Sequence, residues 1–311
     1  MYFICTHQTQ TCFLRRNSTG ACARVLADHP LRAVVFREAL DIGDAARREE
    51  VMRALRAPMP SGPGLSLGVS PHAGYTVSDA LLQEIGADLG ARELPVQVHW
   101  NETREEVEWE SARRSAFDGL VMPSPERPTL ERLDAAGLLR RPASLVHANF
   151  PGEGDAGLIR DRGVVIVHCP GAHAWFDRGD FDVESWWGEG VDVALGTDSL
   201  AGNAALDMGR EVSLFRDTHP GASPGEAFDM ATRAGARALG PPSAPPSCAT
   251  LCTLSSQSEV VRWLLIVPSS SWLLKQPKPT SLSMFWSSVA RPRSLCKRQR
   301  ERGKGIERQR G

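Results

Sequence analysis

The chain has 311 residues, with 36 Lys+Arg, 37 Asp+Glu and a formal net charge of −1. Hydrophobic residues make up 41% and charged residues 23%, which excludes a largely disordered or collagen-like chain. The balanced charge also argues against a nucleic-acid binder that works by bulk charge.

The charge is unevenly distributed along the sequence. Residues 241–311 begin with a stretch rich in Pro, Ser and Cys and contain all four lysines and many arginines. No lysine precedes Lys275. We therefore expect three parts: a leader at 1–20, a folded domain at 21–240 and a disordered tail at 241–311.

Features of secreted or membrane proteins are not evident. The seven cysteines are odd in number and scattered, which does not indicate a disulfide framework. The apolar stretch 260–274 is too short and too interrupted to span a membrane, and no signal-peptide pattern is found at the start. We expect a cytoplasmic protein.

The folded part shows regular alternation of strands and helices. ACARVLADHP indicates the end of a helix, LRAVVFREAL a buried strand, and DAARREEVMRAL a charged amphipathic helix. Further apolar runs then end at or near a polar residue, and most lead into a helical segment; the last of these is NAALDMGREVSLFRD, which starts at Asn203. These polar residues are His72, His99, His147, His168 and Asp198.

Such alternation predicts an α/β fold with a parallel sheet and right-handed crossovers. In a (β/α) barrel the carboxyl ends of the strands converge on one face, where active sites lie. No strand is followed by a Gly-rich phosphate-binding loop, which argues against a nucleotide cradle of that kind.

Imidazole and carboxylate side chains at one rim suit a Zn²⁺ or Fe²⁺ site. His99 and Glu102 form an H-x-x-E pair just after a strand. A metal ligand beside a carboxylate is what metal-assisted hydrolysis requires. The alternative for Glu102 is an acid that stabilises the start of a helix.

Six segments in this order resemble the amidohydrolase superfamily, in the branch of chlorohydrolases and cyclic-amine deaminases. The resemblance covers about residues 31–240 and implies strands three to eight of a (β/α)8 barrel. The segments are PHAGYTVSDALL, VQVHWNETREEVE, LVHAN, VIVHCPGAHAWF, VALGTDSLAGNAALDMGREVSLF and DMATRAGARALG.

The resemblance implies a role for each strand-end residue. His99 and Asp198 would be metal ligands, and Asp198 would also take a proton from the attacking water. Glu102 would be the proton shuttle, and His147 would polarise the attacked centre and touch substrate. His72 would contact substrate, His168 would be structural or support the ligands, and His173 receives no role.

The sequence departs from the family in two ways. The H-x-H pair that supplies two metal ligands on the family's first strand is not found, nor are its first two strands. Without a lysine before Lys275, a carbamylated lysine bridging two metals is excluded for the barrel, which implies a single divalent ion. We hypothesise that 1–20 and 241–311 derive from mis-called exons or a frameshift.

The resemblance therefore predicts a hydrolase of non-peptide C–N bonds that deaminates an aminated heterocycle, with a small-molecule substrate and no membrane or nucleic-acid partner. One alternative is an inactive remnant without tight metal binding, and a weaker one is a nucleic-acid binder using the basic tail. A homo-oligomer stays open. Trp100, Trp175, Trp186 and Trp187 could stack on a flat ring, but most are expected to pack in the core.

Overall fold

The computed structural model describes residues 23–24, 27, 33–60, 62, 64–92, 94–111, 121–140 and 142–240. The expected leader and tail thus lie outside the described residues, as does most of the helix end expected at 21–30. No helix in the described ranges is long and apolar enough to cross a membrane.

Six strands form one parallel sheet in sequential order, which confirms the predicted α/β architecture. We number them β1 to β6. Their bounds are β1 Ala33–Ala39, β2 Leu65–Pro71, β3 Val96–Trp100, β4 Ala143–His147, β5 Val165–His168 and β6 Val193–Leu195.

Helices connect successive strands and cover the sheet. They are α1 Ala45–Arg56, α2 Asp79–Asp88, α3 Arg104–Glu110, α4 Thr129–Ala135, α5 Asp155–Arg162, α6 Pro170–Trp175, α7 Val183–Gly188, α8 Met208–Thr218, α9 Pro224–Asp229 and α10 Gly235–Ala238. A 3₁₀ turn, Leu89–Ala91, follows α2, and a π turn, Met230–Ala234, joins α9 to α10.

Capping side chains explain where several helices begin. Asp44 accepts hydrogen bonds from two amides of α1, and Ser78 accepts one from Leu81 of α2. Ser223 and Glu226 form a complete capping box at α9. Each cap satisfies amides that the first helical turn leaves without a partner.

The helix expected from Asn203 onward begins later than the pattern indicated. It starts at Met208, because Asp207 is the N-cap and accepts bonds from the amides of Gly209 and Arg210. Asn203 lies instead in the loop after β6, where its side chain is used for tertiary hydrogen bonds.

The core lies mainly between sheet and helices. Every residue of β3, β4, β5 and β6 is buried, as expected for parallel strands covered on both faces. A second apolar cluster joins residues of β4, β5 and β6 with α10, and Val34 and Phe36 of β1 pack against it. Contact between this first strand and that cluster is expected of a sheet curled toward a barrel.

The strand register aligns the carboxyl ends. Trp100 of β3 is opposite His147 of β4, His168 of β5 is opposite Leu195 of β6, and Ala73 forms a bridge with His99. Side chains at and just after these residues therefore share one edge of the sheet.

Candidate active site

Four predicted site residues are buried at this carboxyl edge: His99, Glu102, His147 and Asp198. His99 lies within β3, His147 is the last residue of β4, and Asp198 follows β6 by three residues. The rings of His99 and His147 are nearly parallel, with centroids 5.8 Å apart. The fold thus brings the H-x-x-E segment and the end of β4 together.

The His99 ring is fixed by a backbone contact. Its Nδ1 lies 2.9 Å from the carbonyl oxygen of His72. Because a carbonyl can only accept, Nδ1 carries the hydrogen, and in the neutral ring Nε2 presents a lone pair. That Nε2 is buried and has no hydrogen-bond partner.

The carboxylate of Glu102 lies between a histidine and an arginine. Its Oε2 is 3.7 Å from His147 Nε2, and its Oε1 accepts a 2.7 Å hydrogen bond from Arg178. Its own amide donates to Glu106 Oε2 at 2.9 Å. Glu102 is therefore oriented from both its backbone and its side chain.

Backbone bonds continue past the ends of β3 and β4 and hold the two loops together. Ala148 N donates to Trp100 O, and Asn149 N donates to Asn101 O. The side chain of Asn149 also donates to the carbonyl of Glu102 at 3.0 Å. The loop that carries Glu102 is thus fixed to the loop that follows His147.

Strained backbone is concentrated here. Asn101, His147, Ala148 and Asp198 have φ values of 47°, 77°, 50° and 54°. Side chains make this left-handed region unfavourable, and such residues cluster at functional sites. The strain at these four positions supports a functional interpretation of this edge.

A hydrogen-bond network fixes the backbone next to Asp198, at Thr197 in the loop after β6. Asn203 donates to the carbonyl of Thr197 at 2.6 Å and to Glu211 Oε1 at 2.8 Å. Glu211 is fully buried, and its other oxygen accepts from the amide of Gly171 at 2.6 Å. This network links the loops after β5 and β6 through one carboxylate.

Three buried polar atoms in this cluster have no hydrogen-bond partner: Nε2 of His99, Nε2 of His147 and Oδ1 of Asp198. Such atoms are costly to bury, so a ligand, ion or water is the usual reason for them. Nitrogen of His99 and oxygen of Asp198 are suitable donors for a divalent ion. Among the described residues, however, no group of three or more His, Cys, Asp or Glu side chains could hold a metal ion by itself.

Burial and charge set the ionisation of the cluster. Burial alone would raise the pKa of Glu102, but interactions with His147, Arg178, His99 and His72 together lower that pKa to about 2. Burial lowers the pKa of His147 to about 4, so this ring is neutral at neutral pH. Arg178 is then the lasting positive partner of Glu102. Burial, followed by repulsion from Glu102, raises the pKa of Asp198 to about 7.

Of the other two predicted histidines, His72 follows β2 and His168 ends β5, between the strands that lead to His147 and Asp198. The ring of His72 is 5.4 Å from that of His99, and its Nδ1 is 2.8 Å from Thr76 Oγ1. Burial and the His99 charge lower the pKa of His72 to about 3. His168 is buried and stacks on Phe181 with centroids 3.9 Å apart, a packing position.

The tryptophans differ in exposure. Trp100 and Trp186 belong to the core, Trp187 packs against it, and Trp175 is 48% exposed. Among these four described tryptophans, Trp175 is the one with a largely exposed ring.

Sequence reasoning missed several residues of the site: Arg178, Phe176, Asn203, Glu211 and Glu106. Arg178 follows α6 and reaches Glu102, 76 positions earlier in the chain. No spacing rule could have found that pair. Asn203 and Glu211 lie inside a segment already quoted for the family resemblance, but their buried hydrogen bonds depend on tertiary structure.

A model of the amidohydrolase family matches residues 12–243, and the chain belongs to this family. An aminodeoxyfutalosine deaminase from Deinococcus radiodurans is 30% identical over 193 residues, 57% of this chain and 46% of the relative. A 5'-deoxyadenosine deaminase from Methanothermobacter thermautotrophicus is 30% identical over 230 residues, 70% of this chain and 51% of the relative.

A solved adenosine deaminase from Xanthomonas campestris with bound zinc has a TM-score of 0.56 and 28% identity, over 73% of this chain and 52% of that one. The Helicobacter pylori aminofutalosine deaminase has a TM-score of 0.61 at 21% identity, over 72% and 60% of the two chains, and supports the fold. The chain spans about half the length of the curated relatives it matches.

Proposed function

We propose that this chain belongs to a metal-dependent hydrolase that deaminates an aminated heterocycle in a nucleoside-like substrate. The observation that carries the proposal is the pairing of ionised Glu102 with neutral His147 at the same sheet edge that carries the buried, unpaired Nε2 of His99 and Oδ1 of Asp198. Relatives named as deaminases of adenosine-type compounds support this substrate class.

Two residues of this chain would hold the ion, Zn²⁺ or Fe²⁺: His99 through Nε2 and Asp198 through Oδ1. When bound, such an ion makes a water molecule acidic enough to be a nucleophile near neutral pH. The described residues supply only this part of a coordination shell. Full activity therefore depends on ligands from outside the described residues.

The side chains of Asp198 and Glu102 carry out the proton transfers. Asp198 accepts a proton from the attacking water as oxygen bonds to the ring carbon. Glu102 takes the second proton of that water and delivers it to the ring nitrogen, and His147 polarises the carbon that is attacked. Asp198 gives its proton to the amino group as the C–N bond breaks, so the nitrogen leaves as ammonia and the ring carbon keeps the oxygen. His72 would contact the substrate beside His99.

The test is ammonia release from adenosine, 5'-deoxyadenosine and 5'-methylthioadenosine with added Zn²⁺ or Fe²⁺. Glu102→Gln should lower kcat about 10³-fold, since it removes a proton-transferring group. Glu108→Gln, on the helix that follows Glu102 and only partly buried, is the matched control and should retain wild-type activity. Equal activity in the two variants would contradict the assignment, and an inactive wild-type chain would favour the interpretation as a remnant.

A further inference from the structure

We propose that Arg178 is a positioning residue that holds the Glu102 carboxylate toward His147. With Phe176 it forms a strap, residues 176–178, which links the Glu102 side of the site to the Asp198 side. The inference rests on the proposed function, because Glu102 is the group that it positions.

The guanidinium of Arg178 contacts Glu102 at two points. Nη2 of Arg178 donates to Glu102 Oε1 at 2.7 Å, and Nη1 donates to the main-chain carbonyl of Glu102. One side chain therefore fixes both the backbone and the carboxylate of the same residue. With Oε1 occupied, Oε2 is the oxygen left beside His147, at 3.7 Å.

Burial makes this contact more than a surface ion pair. The side chains of Arg178 and Glu102 are 10% and 11% exposed. A charge-assisted pair shielded to this degree is stronger and more directional than an exposed one. A lysine at this position would keep the charge but could not make the same two-pronged contact.

The strap also packs against the loop that carries Asp198. The guanidinium of Arg178 lies 4.7 Å from the centroid of the Phe176 ring. A side-chain carbon at Gly202 would come within 2.8 Å of that ring and 3.4 Å of Asp198 Oδ2. Phe176 therefore packs on the loop that carries Asp198, while Arg178 holds Glu102.

The strap is itself anchored. The amide of Arg178 donates to the carbonyl of His173, and His173 Nε2 is 2.7 Å from the carbonyl of Gly179. Asp177, between the two strap side chains, has a left-handed φ of 54°. This anchorage gives His173, for which the sequence indicated no role, a place in supporting the strap.

The test compares Arg178→Met and Arg178→Lys with Arg160→Met, which removes an exposed arginine paired with Asp161 and Glu189. We expect Arg178→Met to lower kcat at least about 10-fold while KM changes less than about threefold. Arg178→Lys should recover part of kcat, and Arg160→Met should leave both constants unchanged.

A second readout does not depend on activity. Amide hydrogen exchange in peptides covering 100–106 and 176–181 should accelerate together in Arg178→Met and stay unchanged in Arg160→Met. If the wild-type chain does not deaminate, the proposed function fails, and exchange alone decides the role of Arg178. Faster exchange confined to 176–181, or kcat unchanged in a folded Arg178→Met, would overturn the inference. Should Arg178→Met not fold, the same criteria apply to Arg178→Lys.

Discussion

Arg37 on β1 and His99 on β3 are both buried polar residues of the same sheet, but their surroundings differ. The Arg37 guanidinium donates to the carbonyls of Leu55 at 2.7 Å and Ala57 at 2.9 Å, and also to that of Ala54. These carbonyls belong to the end of α1. That of Ala54 also accepts from the amide of Ala57, but the carbonyls of Leu55 and Ala57 are beyond the reach of the helix's own amides. His99, in contrast, keeps an unpaired Nε2.

The backbone differs between the two regions as well. Of the six non-glycine residues with positive φ in the described ranges, five end a strand or lie in the loop directly after one, and the sixth, Asp177, follows α6. A buried polar residue with all its hydrogen bonds made stabilises the fold. One with an unpaired atom on strained backbone indicates a place where a ligand is bound.

Among the substitutions that test this contrast, we expect the largest effect on stability from a change at Glu106, a buried acid whose side chain contacts the amide of Glu102. Burial raises its pKa to about 8, with repulsion from Glu102 adding to the effect. A carboxyl group whose pKa is higher in the folded protein makes its full contribution to stability at pH values below its pKa in the unfolded chain. That contribution is lost as pH rises through the pKa in the folded protein.

Glu106→Gln should therefore gain stability over wild type by about 1.4 kcal/mol for each pH unit between pH 5 and pH 8. Urea unfolding at each pH unit measures the difference. Glu108→Gln, on the same helix, should show no such trend. A constant difference between Glu106→Gln and wild type across this range would show that Glu106 is ionised in the folded protein.

A smaller effect is expected in the helix–sheet layer. Arg37→Met should cost about 2 kcal/mol, because it leaves carbonyls at the end of α1 without a partner in a partly buried position. Arg48→Ala, which removes an exposed pair with Glu84, is the control and should cost less than about 0.5 kcal/mol. Equal unfolding midpoints for these two variants would remove the distinction between the two kinds of arginine.

The parallel sheet and the residues at its carboxyl edge could be predicted from the sequence, because they depend on periodicity. Apolar runs that end in His or Asp predicted both the parallel sheet and the shared edge of His99, His147 and Asp198. The predicted start of α8 at Asn203 was wrong, because Asp207 caps the helix and it therefore begins at Met208. The contact of Arg178 with Glu102 and the Asn203–Glu211 network could not be predicted, since each requires side chains from distant loops to be placed in three dimensions.

The central claim is that the unpaired atoms of His99 and Asp198 bind a divalent ion, and zinc content per chain tests it most directly. After equilibration with Zn²⁺ and removal of excess metal, wild type should retain about one zinc per chain, as expected for a mononuclear site. His99→Ala and Asp198→Asn should each lose most of it, whereas Glu102→Gln should keep it. Zinc retention that is the same in all four proteins, or absent from wild type, would contradict the account.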